Sequence, residues 1–270
     1  MPCISTFLGV PRSLRIAVSS ALRERTGAEE GAGMPHPAAL GKAGCKPLFV
    51  RMLIWTAKTV LFVHVAFMLT TSAMILCYRF IDPAVTVLAL TRKYADGWSI
   101  ARPQPADLAR VSRTARRMVI AVEDAKFYEH HGFDLEAFKR AAAVNRQLGE
   151  PLYGGSTLTM QLARTLFLVP VKSYVRKYLE LIIALELELF LGKDRILELY
   201  LSWAEWGKGI FGIEAASKAY FKTGSAQLGV SQAARLVAML SSPIRYGPYD
   251  VEKRAILKSR YAFLMGKFGT

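Results

Sequence analysis

The sequence predicts an all-α protein, in which a helical domain is preceded by a single transmembrane helix. Three observations lead to this fold class. The 20 residues from Thr59 to Tyr78 are largely apolar and carry no formal charge. From residue 81 onward, apolar residues recur at helical spacing. The same region lacks sustained apolar–polar alternation and lacks Asn-Gly or Asp-Gly turns between β-branched runs, which are the signals of strands and hairpins.

The first 50 residues are predicted to form a disordered leader, because glycine, alanine and proline dominate the stretch from Gly27 to Gly44. Residues 1–51 carry seven basic side chains against three acidic ones. Basic flanks are retained in the cytoplasm, so the N-terminus is predicted to be cytoplasmic and the chain after Tyr78 to be exported. The sequence is compatible with a translation start at Met1 or at Met34.

Residues 51–80 are predicted to be a retained signal anchor. About 20 apolar residues span the hydrocarbon of a bilayer as a helix. Arg51, Lys58 and Arg79 flank the apolar run as interfacial anchors would. A buried helix of a soluble protein is the alternative. A cleaved signal peptide fits less well, because its apolar region is usually only about 7–15 residues long.

Residues 81–106 are predicted to be a linker, marked by Pro103 and Pro105, and residues 107–270 to be one helical domain. Asp134 is predicted to cap the second helix of this domain, and Ser156 or Thr157 the third. The predicted helices cover about Asp107–Glu129, Leu135–Gln147, Leu158–Leu168, Val175–Phe190, Lys193–Leu201, Gly212–Tyr220, Ser231–Met239 and Glu252–Lys267.

Cysteine usage and charge narrow the function classes. Cys3, Cys45 and Cys77 all precede the exported part, which excludes a disulfide framework, a thiolate metal site and a cysteine nucleophile there. The formal net charge of +15 indicates an anionic partner. For an exported domain tethered to a bilayer, lipid headgroups and pyrophosphates are expected rather than nucleic acid.

The first candidate functional segment is the acidic pair Glu123 and Asp124, which directly follows the apolar run Met118–Val122. The run belongs in a core, so the two carboxylates emerge where buried structure meets a surface or cleft. Acids at such a boundary lose solvation unless something uses them. The alternative is a helix end with solvated acids.

The second segment is Gly154-Gly155-Ser156-Thr157, which opens a helix. Paired glycines permit close approach of a ligand, and the free N–H groups at a helix start attract anions. Gln161 and Arg164 follow about one and two turns later. An ordinary glycine-rich loop with a Ser/Thr cap is the alternative.

The third segment places Arg176, Lys177 and Glu180 on one helical face. An apolar stretch follows Glu180, so its carboxylate should be partly desolvated. One cation can neutralise it, which leaves the other for an anionic ligand. The alternative is a routine i,i+4 salt bridge.

Together the segments favour a sugar-transfer site. Two carboxylates from separate helices could flank an anomeric carbon, as in enzymes that form or cleave glycosidic bonds. Arginine and lysine near a helix N-terminus could hold a phosphate-type leaving group. One acid must stay ionised to act as general base.

In this order the segments resemble glycosyltransferase family 51, the peptidoglycan glycosyltransferases. The similarity runs from about Asp107 to Tyr249, and four motifs in the same order make it specific. About twenty residues follow it, which implies the monofunctional branch of Gram-negative bacteria, anchored in the inner membrane. The four motifs are E-D-x-x-F-x-x-H-x-G at Glu123–Gly132, G-G-S-T-x-x-x-Q-L at Gly154–Leu162, R-K-x-x-E at Arg176–Glu180, and I-L-E-x-Y-L with the following glycine-rich stretch at Ile196–Ala216. The similarity also includes the late segment S-x-P-x-x-Y-x-P at Ser241–Pro248.

The resemblance implies a lysozyme-like, two-lobed α-helical domain whose smaller lobe, about residues 131–167 with a mobile loop at 146–155, dips into the membrane. It implies polymerisation of lipid II into β-1,4-linked glycan with inversion and release of undecaprenyl pyrophosphate. Glu123 would be the general base. Glu180 would line the donor side with Arg164, Arg176 and Lys177, and the cleft would be shaped by Asp124, Phe127, Ser156, Thr157 and Gln161.

Met160, Arg164, Thr165 and Ser202 depart from the residues common in the family, which bears on fine positioning. No metal-ligand cluster is evident, although some relatives are assisted by Mg²⁺ or Mn²⁺. The expected partners are lipid II, the growing lipid-linked glycan and the membrane, with proteins of wall synthesis or division as further candidates. The rival functions are a lysozyme-like enzyme that cleaves glycan and a non-catalytic membrane scaffold.

Overall fold

A computed structural model describes residues 47–101, 104–149 and 154–269. Predictions about the leader before residue 47, about Pro103 and about residues 150–153 of the loop at 146–155 lie outside the described residues. The described helices are α1 Leu48–Tyr78, α2 Val87–Tyr94, α3 Arg113–Glu123, α4 Leu135–Leu148, α5 Leu158–Phe167, α6 Tyr174–Phe190, α7 Lys193–Trp203, α8 Ile213–Phe221, α9 Val230–Met239 and α10 Ala255–Phe268.

The first helix, α1, is long and apolar enough to cross a membrane. Its 31 residues extend about 46 Å at 1.5 Å per residue, against about 30 Å of hydrocarbon. Its most apolar window has a mean hydropathy of 2.1, and only 11% of that window is buried. A single candidate span is therefore present among the described residues, at the place where the sequence predicts one.

The chain divides into two units, Met1–Leu53 and Ile54–Thr270. The described part of the first unit is the start of α1. Within the second unit, the rest of α1 contacts the helices that follow. The Thr71 hydroxyl lies 2.6 Å from Glu186 Oε2 on α6. On α7, Arg195 Nε donates to the carbonyl of Tyr78 at 2.9 Å.

Helix α2 occupies part of the segment predicted to be a linker. Thr86 caps it by accepting a hydrogen bond from the backbone N–H of Ala89 at 3.1 Å. Leu88 and Ala89 are buried, so the helix packs onto α5 through a short apolar face. Residues 81–106 are thus not wholly extended.

Helix α3 is shorter than predicted, because the helix expected from Asp107 to Glu129 is continuous only between Arg113 and Glu123. Ser112 caps its start. Asp124 leaves the helical conformation with φ −161°. Glu123 is therefore the last helical residue, and its side chain emerges at a helix end.

A small antiparallel ribbon, β1 Glu205–Gly207 and β2 Ile210–Phe211, lies between α7 and α8. It is too short to give a period-two signal in the sequence. At Gly212 (φ 85°), a Cβ atom would lie 2.5 Å from the Ser202 carbonyl oxygen, so only glycine fits the turn into α8. With this one ribbon in the described part, the predicted all-α class is confirmed.

The core surrounds α5, which packs against α6, α7 and α2, while α9 packs against α3 and α10. Trp203, Trp206, Leu162 and Ile183 are fully or almost fully buried within it. Burying a large apolar side chain contributes about 1.5–3 kcal/mol. Residues of α3 and α5 belong to this one core, which fixes the position of the end of α3 relative to the start of α5.

Candidate active site

Glu123 lies at the end of α3 and faces a cleft of about 590 Å³, which Ser156, Gln161 and Arg164 also line. Its side chain is only 12% exposed. Oε2 accepts a hydrogen bond from Gln161 Nε2 at 3.2 Å. Oε1 forms an ion pair with Arg260 on α10. The carboxylate is therefore oriented by two donors from two different helices.

The orientation of Gln161 is itself fixed. The hydroxyl of Tyr200 on α7 donates to Gln161 Oε1 at 3.0 Å. Burial, with the Glu123 charge as a second cause, raises the pKa of Tyr200 well above its usual value, so this phenol keeps its proton. The amide nitrogen of Gln161 must then face Glu123 and the Ser156 carbonyl, which lies 3.4 Å away.

Asp124 is buried and connects the end of α3 to the start of α5. It accepts a hydrogen bond from the backbone N–H of Leu158 at 2.9 Å. His130 Nε2 lies 2.9 and 3.0 Å from its two oxygens. Since His130 Nδ1 accepts from the Gly132 N–H at 3.1 Å, Nε2 carries the proton and donates. Asp124 also borders a small cavity of about 180 Å³, shared with Glu123 and Ser156.

Phe127 supports the cleft from behind, whereas Thr157 borders the small cavity that Glu123 and Asp124 also line. Phe127 has no exposed surface, and the Lys193 ammonium lies 4.6 Å from its ring centroid. Thr157 is also buried, and its hydroxyl donates to the carbonyl of Gly132 at 2.7 Å. The hydroxyl of Thr157 in turn accepts from the Met160 N–H at 3.1 Å, which makes it the N-cap of α5. The expectation that these two side chains shape the cleft stays a prediction.

Glu180 lies behind the side chains of Arg176 and Lys177, and its own side chain is only 1% exposed. Arg176 pairs with its Oε1, and Lys177 Nζ lies 3.0 Å from its Oε2. A carboxylate buried to this extent faces the two cations, and the assignment of Glu180 to the donor side stays a prediction. Its position allows it to orient the two cations.

A chain of hydrogen bonds joins the two glutamates. It runs from Glu123 to the Gln161 amide and from that amide to the Ser156 carbonyl. The Ser156 hydroxyl then accepts from Lys177 Nζ at 2.7 Å, and Lys177 reaches Glu180. Three sequence segments that are far apart along the chain thus form one connected site.

A second cleft of about 440 Å³ adjoins the first, because Gln161 and Arg164 line both. Among the described residues, five cationic side chains line it against the single acid Glu205, which Arg92 binds through both carboxylate oxygens at 3.1 and 3.0 Å. The arrangement is suited to a multiply charged anion. The five cations are Arg92, Arg164, Lys172, Arg176 and Arg245.

Arg164 contributes much of the positive charge of this second cleft. In the described part of the chain it has no carboxylate partner within ion-pair distance. Burial lowers the pKa of Arg164, although an arginine remains charged at neutral pH. Burial, with Arg164 and Arg176 nearby, lowers the pKa of Lys177 to about 8. An anion placed between these crowded, partly desolvated cations would be bound strongly, because it offsets their mutual repulsion.

The described residues contain no group of three or more His, Cys, Asp or Glu side chains placed to hold a metal ion.

Sequence patterns missed several members of the site. His130 lies inside the first motif, so the motif itself could have indicated it. Tyr200 lies inside the motif at Ile196–Ala216, and it supports the site through Gln161. Arg92 lies on the unpredicted helix α2. Arg260 is 137 positions from its partner Glu123, and no local spacing connects them.

Comparison with known proteins identifies the family of the chain. The sequence model of the family described as "Transglycosylase" matches residues 93–267. Curated relatives carry the name biosynthetic peptidoglycan transglycosylase. One from Dechloromonas aromatica is 50% identical over 146 residues, which are 54% of this chain and 62% of that protein. One from Caulobacter vibrioides is 44% identical over 172 residues, covering 64% and 74%. One from Bordetella pertussis is 39% identical over 223 residues, covering 79% and 91%.

Proposed function

Since this chain belongs to the transglycosylase family of peptidoglycan glycosyltransferases, we propose that it polymerises lipid II into β-1,4-linked glycan strands and releases undecaprenyl pyrophosphate. The observation that carries the proposal is the connected site. An oriented carboxylate at Glu123 is joined by hydrogen bonds to a cationic wall at Arg164, Arg176 and Lys177. Such a site offers a base for an acceptor hydroxyl and counter-charges for a diphosphate leaving group.

On the acceptor side, Glu123 takes the proton from the 4-hydroxyl of the N-acetylglucosamine of lipid II. The oxygen then attacks the anomeric carbon of the growing chain and forms the new C–O bond as the bond to pyrophosphate breaks. Attack from the face opposite the leaving group converts an α-linkage into a β-linkage. A positioned general base of this type contributes about 10²–10⁴-fold to rate.

On the donor side, Arg164, Arg176 and Lys177 hold the pyrophosphate and neutralise the charge that develops as it leaves. Arginine can bind phosphate oxygens in a bidentate manner, whereas lysine acts as a point charge. Glu180 orients Arg176 and Lys177 from below. Its role in the proposal is positioning.

The two rival functions are less well supported. A glycan-cleaving enzyme releases no charged leaving group and has no use for five cations along one cleft. For a non-catalytic scaffold, the relevant positions are Thr165 and Ser202, which depart from the residues common in the family. Thr165 donates to the Gln161 carbonyl at 2.9 Å, and Ser202 donates to the Glu198 carbonyl at 2.8 Å and accepts from the Ala106 N–H at 2.9 Å. Both substitutions fit their places and leave the site connected.

The proposed location is the bacterial inner membrane, with α1 as a single-pass anchor, the N-terminus in the cytoplasm and the catalytic domain in the periplasm. The basic flank before α1 and the length of α1 support it. Further support comes from exposed apolar side chains around α4 and the start of α6, which suit contact with lipid. These are Leu135, Phe138, Val144, Val169, Val171, Tyr174 and Val175.

The proposal is tested by incubating the detergent-solubilised full chain with labelled lipid II. Long, muramidase-sensitive glycan is the expected product. Fragments released from pre-formed cell wall would instead identify a hydrolase, and the absence of both reactions would favour a scaffold.

We expect the pH dependence of lipid II use to report Lys177. Since the pKa of Lys177 is lowered to about 8, the donor site loses a positive charge above that pH, and kcat/KM should fall. Lys177→Arg stays charged, so its fall should move to higher pH. The measurement is kcat/KM against pH for both proteins, with Lys139→Arg at an exposed surface pair as the control.

The expected fall in kcat/KM is not explained by unfolding of the protein when Lys177 loses its proton. Between about pH 8 and the ordinary lysine value of 10.5, the unfolded chain binds more protons at this position than the folded chain. The contribution of Lys177 to stability therefore rises with pH in that window. If kcat/KM fell at the same alkaline pH in the original chain and in Lys177→Arg, the assignment of this fall to Lys177 would be contradicted.

A further inference from the structure

Helix α10 contributes a residue to the site that no motif indicates. Arg260 extends from α10 to the carboxylate of Glu123 and pairs with Oε1. Its side chain is 19% exposed and lines the same cleft as Gln161 and Arg164. A residue from the end of the chain thus contacts the proposed base directly.

The two oxygens of Glu123 have different partners. Oε1 is held by Arg260 from α10, and Oε2 by Gln161 from α5. Two donors from independent helices leave the carboxylate a single orientation. A carboxylate oxygen accepts two hydrogen bonds, so each oxygen still has a lone pair for an incoming hydroxyl.

Arg260 is held in the cleft at a cost. Its Nε atom is buried and has no hydrogen-bond partner in the described part of the chain. An N–H group buried without an acceptor is unfavourable, and such groups are uncommon in folded proteins. The ion pair with Glu123 is the interaction that accounts for the position of this guanidinium.

The packing of α10 does not depend on Arg260. The guanidinium of Arg117 on α3 lies 5.4 Å from the Phe268 ring centroid. The hydroxyls of Ser231 and Tyr261 are 2.9 Å apart. Leu257 and Leu264 are fully buried. A role of Arg260 only as a brace between helices is therefore redundant with these contacts.

We propose that Arg260 is a positioning residue for the transfer reaction, which fixes the Glu123 carboxylate in the orientation that meets the acceptor hydroxyl. The inference rests on the proposed function. Arg260 does not replace the base. It removes the alternative rotamers of Glu123, and its positive charge remains beside the site while the proton is transferred.

The test compares Arg260→Ala with Arg260→Lys in the detergent-solubilised full chain, using labelled lipid II. We expect kcat for Arg260→Ala to fall about 10²-fold, the order expected when a catalytic group is misplaced by about 1 Å. KM should stay within about threefold of the original value, because the cationic wall at Arg164, Arg176 and Lys177 is unchanged. The kcat of Arg260→Lys should be about tenfold higher than that of Arg260→Ala, since lysine keeps the charge but lacks the planar guanidinium.

Two additions separate positioning from folding. Lys258→Ala, on the same helix and paired with exposed Glu252, should retain the original kcat. Guanidinium ion added to Arg260→Ala should raise its rate, because it can occupy the emptied space beside Glu123. If Arg260→Ala does not fold, Arg260→Gln takes its place in the same comparison.

The outcomes distinguish this inference from the proposed function. If the original chain makes no glycan, the proposed function fails first. If the original chain makes glycan and Arg260→Ala has an unchanged kcat, only the inference fails. A loss confined to KM, or an Arg260→Lys variant no faster than folded Arg260→Ala, would also overturn it.

Discussion

Glu123→Gln is expected to abolish glycan synthesis while the protein stays folded. The substitution hardly changes the volume of the side chain, but it removes the charge that receives the proton of the acceptor hydroxyl. Loss of a positioned base lowers the rate by about 10²–10⁴-fold. The measurement is the initial rate of glycan formation from labelled lipid II, together with the melting temperature of the variant.

The matched control is Glu136→Gln on α4, where the carboxylate is 62% exposed and pairs with Lys139. It makes the same chemical change away from the cleft, and we expect the original rate. Full glycan synthesis by Glu123→Gln would refute the assignment of Glu123 as the base.

The second large effect is expected for Glu180→Gln, which should lower turnover about 10²-fold although Glu180 does not reach the cleft. Arg176 and Lys177 would lose the carboxylate that orients them. A displacement of about 1 Å in such groups is costly. The variant should also be less stable by about 1–3 kcal/mol, because buried donors lose a partner. Rates are therefore measured well below its melting temperature.

Glu188→Gln separates these two effects. Glu188 is on the same helix and pairs with Lys193 at 2.8 Å, and its side chain is 8% exposed. It also accepts from the Thr159 hydroxyl at 2.6 Å, away from the cationic cleft. We expect a similar loss of stability and little loss of turnover. If Glu180→Gln kept the original rate, Glu180 would be reduced to a salt-bridge partner.

Helices that carry their own signals were predictable from the sequence. Asp134 and Thr157 are N-caps as expected, and α4 and α5 begin directly after them. Helix α2 was missed because it has only eight residues and lies in a segment assigned to a linker. The end of α3 was placed too late. Asp124 leaves the helix to bind His130 and the Leu158 N–H, contacts that local propensity does not encode.

Part of the candidate site was predictable as a set of residues, but its geometry was not. Spacing placed Arg176, Lys177 and Glu180 on one helical face, and the structure does join them. The burial of Glu180 and Phe127 depends on packing between helices, and no spacing rule reports that. Arg260 lies on a helix whose sequence gives no sign that it faces Glu123. Long-range partners of this kind follow from the tertiary fold.

The most direct test of the central claim is a structure of the Glu123→Gln chain in a lipid nanodisc with lipid II bound. The account predicts the pyrophosphate between Arg164, Arg176 and Lys177. It also predicts the acceptor 4-hydroxyl within about 3 Å of the side chain at position 123. A pyrophosphate bound away from these cations, or an acceptor hydroxyl out of hydrogen-bond reach of position 123, would contradict it.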